Sequence, residues 1–210
     1  MRVVYLHGFA SSARSTKAAF FAEKLAAKGI EMLVPDLNEP DFSTLTVTRM
    51  LKQAGDAIDA VVDPVALIGS SLGGFVAVQA ALQHDARVQR LVLLAPALDF
   101  DGNRLSDLGD RGLDEWKASN RLEVFHYGYG RMMPVQYDLY ADARRYNALD
   151  AVLKQPVQVF QGRRDTAVDP DTVERWAAAR PNVELHLLDD DHQLLGSLSE
   201  IWKQIERFLL

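Results

Sequence analysis

Short apolar runs alternate with segments of helical period along most of the chain. The first run, residues 2–6, is rich in β-branched side chains and stops at His7-Gly8. Ala18, Phe21, Ala22 and Leu25 then share one face of a helix, with Gly29 as its C-terminal stop. Residues 31–34 read as a second strand, ended by Pro35, and Val47, Met50, Leu51, Ala54 and Ile58 put a helix over about 43–60. The alternation continues with a third strand at 65–68, a helix at 75–83 and a fourth strand at 91–94. A fifth strand follows at 157–160 and a sixth at 183–188. Between these last two, Asp169-Pro170 has the form of an N-cap and first helical position, opening a helix that carries Val173, Trp176 and Ala177. Leu198, Ile201, Trp202, Ile205 and Phe208 make a final helical stripe. Strands that are nearly all apolar and alternate with helices predict an α/β fold: a parallel sheet covered on both faces.

Residues 99–150 break the rhythm. The segment is polar and glycine-bearing and holds the aromatic cluster Phe125, His126, Tyr127 and Tyr129. A stretch of this length between two strands is more often functional than a plain loop, and a helical lid or cap is expected there; a packing extension away from substrate is the alternative.

Composition adds bounds rather than detail. A chain of 210 residues that is 48% hydrophobic and 25% charged fits one soluble domain. A formal net charge of −6 speaks against nucleic acid or an anionic membrane as partner. With no cysteine there is no disulfide, thiolate metal site or cysteine nucleophile. The opening run is too short for a signal or membrane segment, so a cytoplasmic location is expected.

The chemistry concentrates at the strand ends. Gly69-Ser70-Ser71-Leu72-Gly73 fits G-x-S-x-G, directly after a buried strand and before a helix, the setting that a nucleophile elbow requires. So sharp a turn strains the serine backbone and needs small flanking residues, which Gly69, Gly73 and Gly74 supply. Ser70 does not fit the same register, since its flanks would be Ile68 and Leu72. A serine hydroxyl needs a base to take its proton. Of five histidines, only His192 follows the last strand in a short loop, at the sheet edge where Ser71 sits. His7 and His84 precede the serine, His126 lies in the expected lid, and His186 falls inside a strand. An acid is expected after the fifth strand, and Asp165 lies there; Asp169 is better placed as a helix cap. Its carboxylate would fix the imidazole's tautomer and stabilise the imidazolium. The developing oxyanion needs donors, for which the backbone N–H groups of Leu72 and Phe9 are the candidates, with Ala10 as alternative to Phe9. His7 is expected to brace that loop and Gly8 to allow close backbone approach. Arg163 and Arg164 read as surface residues.

With His7-Gly8-Phe9, the Gly69 to Gly73 motif, Gly162 to Asp165 and His192 in this order, the sequence resembles the α/β-hydrolase superfamily. Within it the chain is similar to the short YqiA-type esterases, through Tyr5-Leu-His-Gly-Phe9 with Ser11-Ser12 and through Ile68-Gly-Ser-Ser-Leu-Gly-Gly74. The resemblance implies a single α/β-hydrolase domain with Ser71, Asp165 and His192 as catalytic triad, acting on a small-molecule ester or thioester without cofactor or metal. The segment 99–150 departs from those short esterases. Because the chain opens at the strand that feeds the oxyanion loop, the expected sheet has six parallel strands in the order 2-1-3-4-5-6. Peptidase, perhydrolase or acyltransferase chemistry on the same triad, and a non-catalytic ligand-binding protein, are the competing readings.

Overall fold

The structure, a computed structural model, describes residues 1–100 and 108–210. The part of the expected lid at 101–107 lies outside the described residues. Six strands, β1 (Arg2–Leu6), β2 (Met32–Leu33), β3 (Val65–Ser70), β4 (Val88–Leu94), β7 (Val157–Gly162) and β8 (Val183–Leu188), form one sheet. All its pairings are parallel and its order is β2-β1-β3-β4-β7-β8. This is the order expected, with β7 and β8 as the fifth and sixth strands of the apolar pattern. The second strand is shorter than the run at 31–34, pairing only at Met32 and Leu33.

Alternation within the strands divides the core into two. Val4, Leu6 and Leu67 point to one face, where they meet α2 (Val47–Asp59), α3 (Leu72–Gln83) and α6 (Pro170–Ala178). Val3, Tyr5, Ala66, Ile68 and Val92 point to the other face and pack under α1 (Thr16–Ala26) and α7 (Leu198–Leu209). Both faces are covered, which is why β3 and β7 are buried at every position. Helix boundaries follow side-chain chemistry: Ser15, Thr46 and Asp169 each cap a helix by accepting a backbone N–H of its first turn. Gly29, at φ 72°, closes α1 in a conformation that favours glycine.

The segment between β4 and β7 differs from the helical insertion expected. It holds α4 (Gly109–Ser119), an antiparallel hairpin of β5 (Leu122–His126) and β6 (Arg131–Val135), and the short α5 (Asp138–Ala143). The period-2 pattern of 122–126 carries the reason: Leu122, Val124 and His126 turn inward while Glu123 and Phe125 are exposed. Trp116, 2% exposed, anchors α4 to the hairpin by donating its indole N–H to Val135 O at 2.9 Å.

Candidate functional site

Three loops at the C-terminal edge of the sheet bring the chemistry together. β3 leads into Ser71, whose φ of 54° and ψ of −118° hold a non-glycine residue in a strained turn. The strain is held by backbone hydrogen bonds on both sides: Ser71 N–H donates to Leu94 O, and Ser71 O accepts from Gly74 and Ala97 N–H. A Cβ on Gly74 would stand 2.8 Å from that of Pro96, so the turn closes only because the residue is glycine. Gly8 permits a similar approach, since its Cβ would lie 3.2 Å from both Ser70 O and Ser71 Cβ.

Ser71 Oγ lies 3.1 Å from His192 Nε2, and His192 Nδ1 lies 2.8 Å from Asp165 Oδ2. The Asp165 carboxylate is fully buried and has four donors. Besides the imidazole, Gln161 Nε2 donates to Oδ2 at 2.9 Å, and the N–H groups of Ala167 and Val168 each donate to Oδ1 at 2.8 Å. Burial alone would raise the Asp165 carboxyl; the His192 hydrogen bond and the other donors outweigh it and hold the group below the ordinary carboxylate range. An imidazole whose Nδ1 donates to this carboxylate presents the Nε2 lone pair to Ser71.

Two residues of β7 support this run of hydrogen bonds, and the first of them was not evident from the sequence. Gln161 is a polar residue near the end of a strand buried at every position, which it shares with Gln158, and polarity in so buried a strand is the signal it offers. Gly162 lets the β7 and β8 loops touch, because a Cβ there would meet Asp191 O at 2.5 Å and Asp190 O at 2.6 Å. The contact is fixed by Arg163 N–H donating to Leu188 O and Arg164 N–H donating to Asp190 O. Arg164 also pairs with Asp189 at the surface.

The loop after β1 faces Ser71 from the other side. Among the described residues neither Phe9 N–H nor Leu72 N–H has a hydrogen-bond partner, and Leu72 heads α3, where the helix dipole adds positive potential. His7 is buried and braces this loop: its Nδ1 donates to Gly8 O at 3.0 Å while Nε2 accepts the Leu37 N–H at 3.0 Å. Ala10, at φ 52°, turns its carbonyl to the hairpin tip and accepts the N–H of Tyr127 at 2.8 Å. His126 stacks on Tyr129 with centroids 4.0 Å apart and meets Phe42 edge-on, making it a structural post of the hairpin.

Two hollows open on Ser71. One, of about 270 Å³, is walled by Phe9, Leu72, Phe100, Trp116, Val124 and Leu139 and is almost wholly apolar. The other, of about 1240 Å³, has a mixed lining whose polar part includes Tyr5, Ser12, Lys17, Tyr127 and His192. Among the described residues no three His, Cys, Asp or Glu side chains are grouped to hold a metal ion. None of the described helices is long and apolar enough to cross a membrane.

Comparison with known proteins places this geometry in a family. The model of an uncharacterised protein family, UPF0227, matches residues 2–209. Among solved structures, a protein of Agrobacterium vitis S4 with a provisional hydrolase assignment is 25% identical with a TM-score of 0.87, covering 98% of this chain and 87% of that one. Est1E from Butyrivibrio proteoclasticus, solved with ferulic acid bound, is 19% identical with a TM-score of 0.85 over 99% of this chain and 87% of that one. A monoacylglycerol lipase of Paleococcus ferrophilus is 16% identical at a TM-score of 0.79, covering 99% and 93%.

Proposed function

The chain belongs to the UPF0227 family of the α/β-hydrolase superfamily, and from that premise we propose that it is a serine hydrolase cleaving carboxylic ester or thioester bonds through an acyl-enzyme. The observation that carries this reading is the unbroken run of hydrogen bonds from Ser71 Oγ through His192 to the buried Asp165. His192 Nε2 accepts the Ser71 proton as Oγ attacks the acyl carbon, and the oxyanion forms between the N–H groups of Phe9 and Leu72. His192 then passes the proton to the leaving oxygen or sulfur as the bond to carbon breaks. Water, deprotonated by the same imidazole, attacks the acyl-enzyme and releases the acid. The apolar pocket beside Ser71 supports an uncharged hydrocarbon group on one side of the scissile bond.

Intact-mass spectrometry after incubation with a fluorophosphonate tests this directly. Wild type should gain one adduct and hydrolyse 4-nitrophenyl butyrate, and Ser71→Ala should do neither. A folded wild type with no adduct and no turnover would overturn the reading and leave a ligand-binding protein in its place.

A further inference from the structure

The larger hollow contains a lysine that has no ion-pair partner among the described residues. Lys17, at the second position of α1, is only 8% exposed and lines the same cavity as Ser71 and His192. A buried ammonium is costly unless it is paired and hydrogen-bonded. Among the described residues Lys17 forms no ion pair. The carboxylates that act on it from a distance are those of Asp165, Asp191 and Asp190, and each is already engaged. Asp165 has its four donors; Asp190 accepts from Asp191 and Ser197 N–H, and Asp191 from Gln193 N–H. Burial outweighs their attraction and pushes the Lys17 ammonium down to about 8, which still leaves it mostly charged at neutral pH.

A second group on this wall is also unanswered. The Tyr5 hydroxyl is buried and faces those of Ser15 and Ser70, yet it makes no hydrogen bond of ordinary geometry to either. Of the charged side chains around the cavity, Lys17 alone is buried: Arg14 and Glu39 are exposed, and Asp36 is half-buried and accepts from Asn38 N–H. An ammonium without an ion-pair partner among the described residues and a buried phenol share one wall beside the serine.

Resting on the esterase reading of Ser71, we propose that this cavity binds an anionic end of the substrate, a carboxylate or a phosphate, with Lys17 as its counter-ion. The ester is then asymmetric: a hydrocarbon group enters the pocket of Trp116 and Leu139, and a charged group on the other side of the scissile bond lies against Lys17 and Tyr5. A neutral substrate would leave the ammonium as it is, buried and unpaired, whereas an anion would supply a charge-assisted hydrogen bond.

Binding can be read apart from turnover on the Ser71→Ala protein. The probes are two matched pairs, mono(4-nitrophenyl) glutarate with its methyl ester, and 2-(butyryloxy)ethyl phosphate with its dimethyl ester. In at least one pair the anionic member should bind about tenfold or more tightly than the neutral one. Which pair does so distinguishes carboxylate from phosphate. Adding Lys17→Gln should bring that ratio to within about twofold of unity, and Lys17→Arg should keep most of it, with thermal melting to verify that both variants fold. No preference for either anion, or a ratio that Lys17→Gln leaves unchanged because both members weaken together, would overturn the proposal. Neither result bears on whether wild type labels at Ser71 and turns over 4-nitrophenyl butyrate, so failure of the subsite and failure of the esterase reading are separate outcomes.

Discussion

The 270 Å³ pocket and the 1240 Å³ cavity share Ser71 and Phe9 and little else. The walls of the first come largely from the insertion between β4 and β7, through Leu108, Trp116, Leu122, Val124 and Leu139. The second is built on the β1–α1 loop and the start of α1, residues 8–17, closed by the hairpin tip at Tyr127 to Tyr129 and by the loops that carry Asp165 and His192. One side is lined mostly by hydrocarbon; the other holds a lysine, a buried phenol and several serines. On the proposed function the strand ends of the sheet would carry the reaction, and two segments lying off the sheet would select the two halves of the substrate. The hairpin belongs to both, since it walls the apolar pocket with β5 and latches to Ala10 O with its tip.

The substitution that should remove the chemistry from both sides at once is Asp165→Asn. The amide can accept from Ala167 and Val168, but its NH₂ group then faces Gln161 Nε2 and the His192 Nδ1–H, and the imidazole turns to the wrong tautomer. On the proposed mechanism kcat on a neutral aryl ester should fall by about 10⁴, as in other triads that lose this carboxylate. Steady-state kinetics beside a melting curve measures it; a fall of less than about tenfold in a folded variant would mean that Asp165 does not orient the base. The pH dependence of stability gives a second readout. A carboxyl held below its ordinary value contributes stability that is complete above about pH 4 and is lost as pH falls through its folded-state value. Wild type and variant should therefore converge in stability below that pH.

Much of this site could be read in the sequence, and the boundary of what could be read is physical. Ser71, Asp165 and His192 stand just past the ends of strands that are largely apolar, so periodicity locates them, and a strained elbow demands glycines that are visible as letters. The geometry brings those three together, and among the described residues the Phe9 and Leu72 N–H groups have no hydrogen-bond partner. The insertion was harder, because its strands are five residues long and amphipathic, and their pairing is with each other, which no local pattern encodes. Lys17 was hidden for another reason. It stands beside Ala18 at the buried edge of the stripe that continues through Phe21 and Leu25, and a lysine there reads as a surface residue until the cavity behind it is seen.

The apolar side is tested by Trp116→Ala. This removes a side chain that is 2% exposed, packs edge-on against Tyr137 and ties α4 to β6 through Val135 O. The loss should be about 3–5 kcal/mol of folding stability, the usual cost of truncating a buried tryptophan, measured by urea unfolding. The same truncation lengthens the pocket, so the chain-length optimum across a series of 4-nitrophenyl esters should move toward longer acyl groups. An unchanged optimum would put the acyl group elsewhere, in the polar cavity, and would reverse the assignment of the two sides.

The polar side yields the smallest effect, and its sign is the informative part. Lys17→Met keeps the length of the side chain and removes its charge. The ammonium is pushed down to about 8 in the folded protein, against about 10.4 in an unfolded chain, so the folded state holds the proton less tightly. While the group is charged in both states, that difference works against folding, by about 1–3 kcal/mol. Between pH 8 and about 10.4 the unfolded chain carries more protons than the folded one, so the stability of wild type rises with pH through this window and the penalty fades. The methionine variant has no such group. It should be the more stable protein at pH 7, and its lead should close as pH approaches 10, with the difference between the two unfolding curves cancelling every other titration they share. A variant less stable than wild type at pH 7 would mean that Asp165, Asp190 and Asp191 already hold the ammonium in place. The cavity would then no longer be short of an anion, and the two sides of Ser71 would differ in polarity without differing in charge.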